Sequence, residues 1–186
     1  ALQRVHELRH DHDAILVGGN TAFVDNPSLT DRSGLPRRRP LLRVILDNRL
    51  RIPLSSTLVD TAADTPTLVF TNSGEAERVE QLRKNGVDVF ESEHGGRDLD
   101  ELLAELGKRQ IQSVLVEGGS EVAGAFFDAK LVDRLTLIVA PIVIGGHDAP
   151  LAIGGKGAAS LEEALRLDDL EINKFEPDIE ITGCPR

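Results

Sequence analysis

The fold of this chain is decided by the stretch Val114-Leu115-Val116-Glu117-Gly118-Gly119-Ser120. Its apolar start predicts a buried strand, its glycine pair predicts a tight turn, and residues 121–130 predict a helix. A helix N-terminus exposes unpaired N–H groups, and glycines let a phosphate approach them closely. The stretch has neither the G-x-G-x-x-G dinucleotide pattern nor the P-loop pattern, so these residues alone also fit a turn that binds no ligand.

A second glycine pair, Gly18-Gly19, follows a predicted strand over residues 14–17. Residues 20–40 are rich in Asn, Asp, Pro, Ser and Arg and predict a long loop, which in a small domain is usually functional. The loop contains Arg32, and Arg9 precedes the same strand. Spacing alone leaves open that the loop is an ordinary solvated one and that Arg9 is a solvated helix residue.

The remaining pattern alternates strands and helices. It predicts helices over residues 1–10, 73–85 and 99–110, and strands over residues 42–46, 67–71, 87–90, 113–117 and 135–139. Two late apolar segments, 170–175 and 179–182, predict an antiparallel hairpin across Glu176-Pro177-Asp178. The expectation is one α/β domain over residues 1–186, with a mixed sheet flanked by helices and a C-terminal antiparallel hairpin.

Composition excludes several classes of function. The net charge is −10 without a basic stripe, which argues against nucleic-acid binding, and the run Arg37-Arg38-Arg39 is expected to be solvated. No apolar run approaches the roughly 20 residues that cross a bilayer. The histidines have no recognisable metal spacing, so no metal is expected, and a single cysteine favours a cytoplasmic location.

Several spaced motifs resemble the reductase domain of the bifunctional deaminase-reductase of riboflavin biosynthesis. In chain order they are His12-Asp13-Ala14-Ile15-Leu16-Val17-Gly18, Thr21-x-x-x-Asp25-x-Pro27-x-Leu29-Thr30-x-Arg32, Pro40 to Asp47, Val114 to Ser120 with Ala123-Gly124-Ala125-Phe126, and Thr182-Gly183-Cys184-Pro185. The resemblance implies a dihydrofolate-reductase-like fold and a homodimer. It also implies reduction of 5-amino-6-(5-phosphoribosylamino)uracil to the ribitylamino product with NADPH. The family's N-terminal strand and its deaminase domain have no counterpart in these residues.

The resemblance also assigns roles to individual positions. Substrate contacts are implied for Arg9, Leu29, Arg32 and Glu117. Cofactor contacts are implied for Thr21, Asp25, Asn48, Gly119, Ser120, Glu121, Val122, Ala123, Gly124 and Ala125. Asn48 departs from the family, which often has Ser at this position. The substrate phosphate is the natural partner of an arginine such as Arg32, because a guanidinium binds phosphate bidentately.

Alternatives remain at this stage. A reductase of the same fold acting on another heterocycle, such as a pterin, and a non-catalytic NADPH-binding fragment both fit the motifs. The proton donor has no assignment, since Glu117, Asp25 and a bound water are all candidates.

Overall fold

The computed structural model describes all residues 1–186, and the chain divides into two units. The first unit is Leu2–Gly119, and the second is Ser120–Arg186 together with Ala1. The prediction of a single reductase domain over residues 1–186 stays a prediction. No helix of the chain has the length and apolar character that crossing a membrane requires.

The first unit is a parallel sheet with helices between its strands. Its five strands are β1 Ala14–Gly18, β2 Leu42–Leu46, β3 Thr67–Thr71, β4 Asp88–Glu91 and β5 Val114–Val116. Its helices are α1 Leu2–Asp11, α2 Gly19–Asp25, α3 Thr57–Asp60, α4 Ala76–Lys84, a 3₁₀ turn Gly95–Arg97, and α5 Leu99–Lys108. The strand order is β4-β3-β2-β1-β5 and every pairing is parallel. The apolar residues 14–17 of β1 and all of β3 are buried, as expected of parallel strands covered on both faces.

The second unit contains α6 Ser120–Asp128 and an antiparallel sheet. Its strands are β6 Leu135–Val139, β7 Leu167–Phe175 and β8 Asp178–Pro185, in the order β6-β8-β7. The predicted C-terminal hairpin is confirmed; β7 begins three residues earlier than predicted, and β8 extends beyond its predicted bounds at both ends.

The predicted fold class is confirmed, with two differences in detail. The parallel and antiparallel strands form two separate hydrogen-bonded sheets instead of one mixed sheet, because β5 and β6 are each paired along one edge only. Residues 20–25, predicted as the start of a loop, belong to helix α2 Gly19–Asp25. Seven residues are too few to show helical periodicity, and the glycine pair indicated a turn.

One side chain ties the loop after β1 to the rest of the first unit. Arg43 on β2 is fully buried, and burial lowers the pKa of its guanidinium to about 10, so it stays charged at neutral pH. Its N–H groups donate to three backbone oxygens and two hydroxyls: Ser28 O at 3.1 Å, Leu58 O at 3.0 Å, Thr65 O at 2.8 Å, Thr61 Oγ1 at 2.8 Å and Thr67 Oγ1 at 2.7 Å. These neutral acceptors satisfy the buried charge.

The expectation of a solvated Arg37-Arg38-Arg39 run is wrong for two of the three residues. Arg37 donates to the carbonyl oxygens of Arg9, His10 and His12, at the C-terminal end of α1, where carbonyls lack helical partners. Arg39 donates to the carbonyl oxygen of Gln110. Only Arg38 is exposed without a hydrogen bond or an ion pair. Sequence patterns cannot reveal such long-range acceptors.

We expect Arg43→Met to lower the free energy of unfolding by about 2 to 4 kcal/mol, because several buried acceptors lose their donor while little side-chain volume changes. Urea unfolding measures the effect. Arg38→Met, which removes the same charge from a side chain without partners, is the matched control and should change stability by less than about 0.5 kcal/mol. Equal stabilities of the two variants would contradict the role assigned to Arg43.

Candidate active site

The two glycine pairs lie at neighbouring strand ends. Strands β1 to β4 are added in one direction from β1, whereas β5 pairs with the opposite edge of β1. The carboxyl ends of β1 and β5 therefore form a topological switch point, the usual place for a ligand in an open parallel sheet. The Glu117 amide donates to Leu16 O at 3.0 Å, which keeps the end of β5 beside the end of β1.

Thr21 on α2 faces the glycine pair Gly118-Gly119 after β5. A methyl group added to Gly118 would lie 3.6 Å from Thr21 Cγ2 and 3.8 Å from its hydroxyl oxygen. Gly19 permits this arrangement, since a Cβ there would lie only 2.9 Å from the Cβ of the buried Asp47. The structure thus brings together one predicted cofactor residue and the turn after β5.

Two of the predicted substrate residues are paired with each other. Arg9 on α1 binds both carboxylate oxygens of Glu117, with Nε 2.7 Å from Oε2 and Nη2 on Oε1. Its Nη1 donates to the Thr30 carbonyl oxygen at 3.0 Å. The Arg9 side chain is 12% exposed and that of Glu117 is 26% exposed. Glu117 is therefore held in one orientation, and its remaining lone pairs can accept hydrogen bonds from a ligand.

Arg32 is exposed and has no carboxylate partner. Its Nε donates to Thr30 Oγ1 and its Nη2 to Ser28 Oγ, both at 3.1 Å, and its backbone amide donates to His6 Nδ1 at 3.3 Å. Two hydroxyls thus orient the guanidinium without neutralising its charge. Such a group is suited to bind an anion bidentately.

The adjacent Asp31 is bound by other residues and forms no ion pair with Arg32. Its carboxylate accepts hydrogen bonds from His10 at 2.9 Å, Arg37 at 3.1 Å and the Ser33 amide at 2.8 Å. Burial raises the pKa of Asp31, but the hydrogen bonds from Ser33, His10 and Arg37 together hold that pKa well below its usual value. This network ties the loop after α2 to the C-terminal end of α1.

Other predicted residues have a restricted role in this structure. Leu29 is 3% exposed, packs in the core and has a φ of 47°, so only its backbone is available to a ligand. The Asn48 side-chain oxygen accepts from the Gly96 amide at 3.0 Å, which leaves its amide nitrogen as the polar group still available. Asp25 is exposed at the end of α2. Their predicted contacts with substrate or cofactor stay predictions.

The predicted cofactor turn has the conformation its glycine implies. Gly119 has a φ of +82°, a backbone region that side-chain-bearing residues rarely adopt, and the chain enters α6 directly after it. Residues 120–125 form the first part of α6, whose leading N–H groups have no acceptor within the helix.

Sequence reasoning missed the residues that orient the site. Ser28, Thr30 and His6 hold Arg32, while Arg37 and His10 hold Asp31. Ser28 and Thr30 flank Leu29 within the recognised motif, which was the one sequence feature that could have identified them. His6 and Arg37 are 25 or more positions from at least one of their partners, and no local pattern links them.

Comparisons with known proteins identify the family of this chain. A family model described as the RibD C-terminal domain matches residues 1–181. The riboflavin biosynthesis protein RibD of Bacillus amyloliquefaciens is 39% identical over 182 residues, covering 97% of this chain and 48% of that protein. The 2,5-diamino-6-ribosylamino-4(3H)-pyrimidinone 5′-phosphate reductase of Aquifex aeolicus is 34% identical over 168 residues, covering 90% of this chain and 74% of that protein.

Solved structures show the same architecture. A pyrimidine reductase-like protein from Corynebacterium diphtheriae has a TM-score of 0.72 and 26% identity, over 98% of this chain and 79% of that one. The RibD of Acinetobacter baumannii has a TM-score of 0.80 over 100% of this chain and 50% of that one, and its 24% identity supports the fold alone. This chain spans about half the length of the RibD relatives it matches.

We expect Asp31→Asn to lower stability at pH 7 and to lose this effect in acid. A carboxyl whose folded pKa is depressed contributes its stability above its unfolded pKa of about 4, and that contribution falls as the pH decreases below this value. Chemical denaturation at pH 7, 5 and 3 should show a difference from the parent that narrows only at pH 3. Asp64→Asn, at an exposed position in the same unit, is the control. A difference that stays constant from pH 7 to pH 3 would refute the assignment.

Proposed function

This chain belongs to the RibD C-terminal domain family, and on that basis we propose that it reduces 5-amino-6-(5-phosphoribosylamino)uracil to the ribitylamino product with NADPH. The observation that carries the proposal is the arrangement at the switch point. An exposed guanidinium without a counter-charge, Arg32, lies on the same loop segment as Thr30, whose carbonyl accepts a hydrogen bond from Arg9, the partner of Glu117. A phosphorylated sugar joined to a polar heterocycle needs a cation and a hydrogen-bond acceptor of this kind.

Arg32 takes the role of phosphate ligand. The hydroxyls of Ser28 and Thr30 hold its Nη2 and Nε, so the side chain is oriented before the substrate arrives and loses less conformational freedom on binding. Glu117 takes the role of acceptor for an N–H or O–H group of the substrate, in an orientation fixed by Arg9.

The residues around α6 fit a phosphate-bearing cofactor. Gly119 has the left-handed backbone that a Cβ would strain, and the helix that follows presents its leading N–H groups. The predicted contacts are Gly119 to Ala125 for the phosphates, and Thr21, Asp25 and Asn48 elsewhere on the cofactor. When bound, the nicotinamide supplies the hydride, and the protein supplies its position.

A second substrate merits direct comparison because three of the similar proteins, from Aquifex, Methanothermobacter and Archaeoglobus, are named as reductases of 2,5-diamino-6-ribosylamino-4(3H)-pyrimidinone 5′-phosphate. The two compounds differ in one exocyclic group of the ring, an amino group in place of an oxo group. NADPH oxidation measured with each compound tests the proposal. A higher kcat/KM for the uracil compound supports the proposal. Turnover of the diamino compound alone would make that compound the substrate, and turnover of a pterin alone would refute the proposal.

We propose a cytoplasmic homodimer as the working form. The second unit exposes a group of large apolar side chains, a feature typical of association surfaces. They are Ile142 at 74%, Val143 at 95%, Ile144 at 80% and Ile172 at 65% exposure. Cys184 is a free thiol, which is compatible with a reducing compartment. The molar mass of the chain in solution decides the assembly.

We expect Arg32→Ala to lower kcat/KM for the phosphorylated substrate about tenfold to a hundredfold while NADPH affinity stays near that of the parent. A charged hydrogen bond to a ligand is worth roughly 1.5 to 3 kcal/mol, and the Arg32 side chain donates to Thr30 and Ser28, neither of which is in the predicted cofactor set. Arg32→Lys should also be impaired, since it keeps the charge and loses the planar fork.

Substrate affinity measured by calorimetry complements these rates, because it does not depend on turnover. Arg38→Ala is the matched control, as an exposed arginine of the same segment without partners. If Arg32→Ala binds and reduces the phosphorylated substrate as well as Arg38→Ala does, Arg32 is not the phosphate ligand.

We expect Gly119→Val to weaken NADPH binding at least tenfold, or by about 1.4 kcal/mol. A β-branched residue is strained at a φ of +82° and would cover the N–H groups that receive the phosphates. Fluorescence titration with NADPH measures the affinity, and circular dichroism checks that the variant is folded. A folded variant with the affinity of the parent would refute the phosphate turn. Gly107→Val, at an open position on α5, is the control for the substitution.

A further inference from the structure

Residues 145–157 form a glycine-rich stretch that has no role in the function proposed so far. Its last part, residues 154–157, runs along α6 and is called here the strap. The Gly154 amide donates to the Ser120 carbonyl oxygen at 2.9 Å, at the first residue of the helix. The Lys156 and Gly157 amides donate to the two carboxylate oxygens of Asp128, at 2.8 and 3.3 Å, at the last residue of the helix. The strap is thus tied to both ends of α6.

The strap also packs backbone against backbone on the helix. A Cβ added to Gly124, in the middle of α6, would lie 2.3 Å from the carbonyl carbon of Gly154. A Cβ added to Gly154 would lie 3.2 Å from the carbonyl carbon of Ser120, and one added to Gly155 would lie 3.0 Å from the Cα of Gly124. Glycine is a poor helix former, so its presence inside α6 is explained by this contact and not by the helix itself.

We propose that residues 154–157 are a positioning strap that holds the first turn of α6 in the conformation that receives the cofactor phosphates. This rests on the cofactor role proposed above for residues 119–125. The terminal turn of a short helix frays readily, because its leading N–H groups form no bonds within the helix. Fixing the Ser120 carbonyl and filling the space beside Gly124 keeps that turn formed before the cofactor arrives, which lowers the ordering cost of binding.

A substitution of Asp128 can test the strap, because Asp128 binds the strap amides and is not a predicted cofactor contact. Asp128→Ala removes both acceptors of the strap amides, whereas Asp128→Asn removes the same charge and keeps one oxygen acceptor. By charge alone, both variants should bind the anionic cofactor slightly more tightly. Loss of the strap predicts weaker cofactor binding, and only for Asp128→Ala. The effects of the strap and of the charge on cofactor affinity therefore differ in sign.

The experiment is a comparison of the full chain with Asp128→Ala, Asp128→Asn and, as an exposed acidic control in the same unit, Glu162→Ala. We expect Asp128→Ala to raise the Kd for NADPH about threefold to tenfold and to raise its KM in parallel, with kcat at saturating NADPH unchanged. Asp128→Asn and Glu162→Ala should stay within twofold of the parent. An unchanged Kd in folded Asp128→Ala overturns the proposal, and so does an equal loss in Asp128→Asn, because the loss would then not depend on the oxygen acceptor that Asn retains.

Amide hydrogen exchange without ligand keeps the strap separate from the cofactor assignment. We expect faster exchange at residues 124–128, whose amides donate to the carbonyls of residues 120–124, and at residues 154–157, in Asp128→Ala than in the parent or Asp128→Asn. If the parent binds no NADPH, the proposed function fails, and exchange still decides whether the strap orders the first turn. Exchange at residues 124–128 equal to that of the parent overturns the strap itself.

Discussion

A charged guanidinium buried without a carboxylate is the constraint on which the first unit depends. Arg43 lies on a central strand of the parallel sheet, where a charge is tolerated only if each donor finds an acceptor. Its acceptors come from three separate segments: the loop after α2, helix α3 with the residues that follow it, and the start of β3. Satisfying one side chain therefore fixes the relative positions of these segments. The acceptor in the loop is the carbonyl of Ser28, and the hydroxyl of Ser28 orients Arg32. Ser28 therefore links the buried Arg43 to Arg32, the residue proposed to bind the anion.

The same loop is anchored a second time from α1. Arg9 binds the Thr30 carbonyl and Glu117, and Arg37 binds Asp31 together with the last carbonyls of the helix. A loop of polar residues has little apolar area to bury, so its conformation must come from hydrogen bonds to rigid elements. Three arginines supply those bonds, and a fourth, Arg32, remains without a counter-charge. Its availability follows from Asp31 being occupied by His10 and Arg37. Preorganisation of this kind is what the proposed hydride transfer requires, because the cofactor would supply the electrons and the protein would supply its position.

Glycines serve three distinct purposes in this chain. Gly19 lets the start of α2 approach Asp47, Gly119 adopts a left-handed backbone before α6, and Gly124 admits the backbone of residues 154–155. Gly19 and Gly124 allow the close approach of other groups, whereas Gly119 supplies a backbone conformation that residues with side chains rarely adopt. In the sequence these residues look alike, and their different uses appear only when their neighbours are known.

The spacing of apolar residues predicted the strands, most of the helices and the hairpin. Burial of one face imposes a periodic spacing on each of these elements, and a short segment of sequence is enough to show it. The ordered motifs were sufficient for the family, and they placed Thr21, Arg32, Glu117 and Gly119 in the candidate site. The pattern did not reveal α2, which is shorter than two helical periods, or the division into two hydrogen-bonded sheets. Nor did it reveal that Arg9 and Glu117 are partners or that Arg37 caps α1, since their contacts span 25 to 108 positions. These features depend on which donors and acceptors meet once the core is packed, and a hydrogen bond between distant residues leaves no periodic trace along the chain.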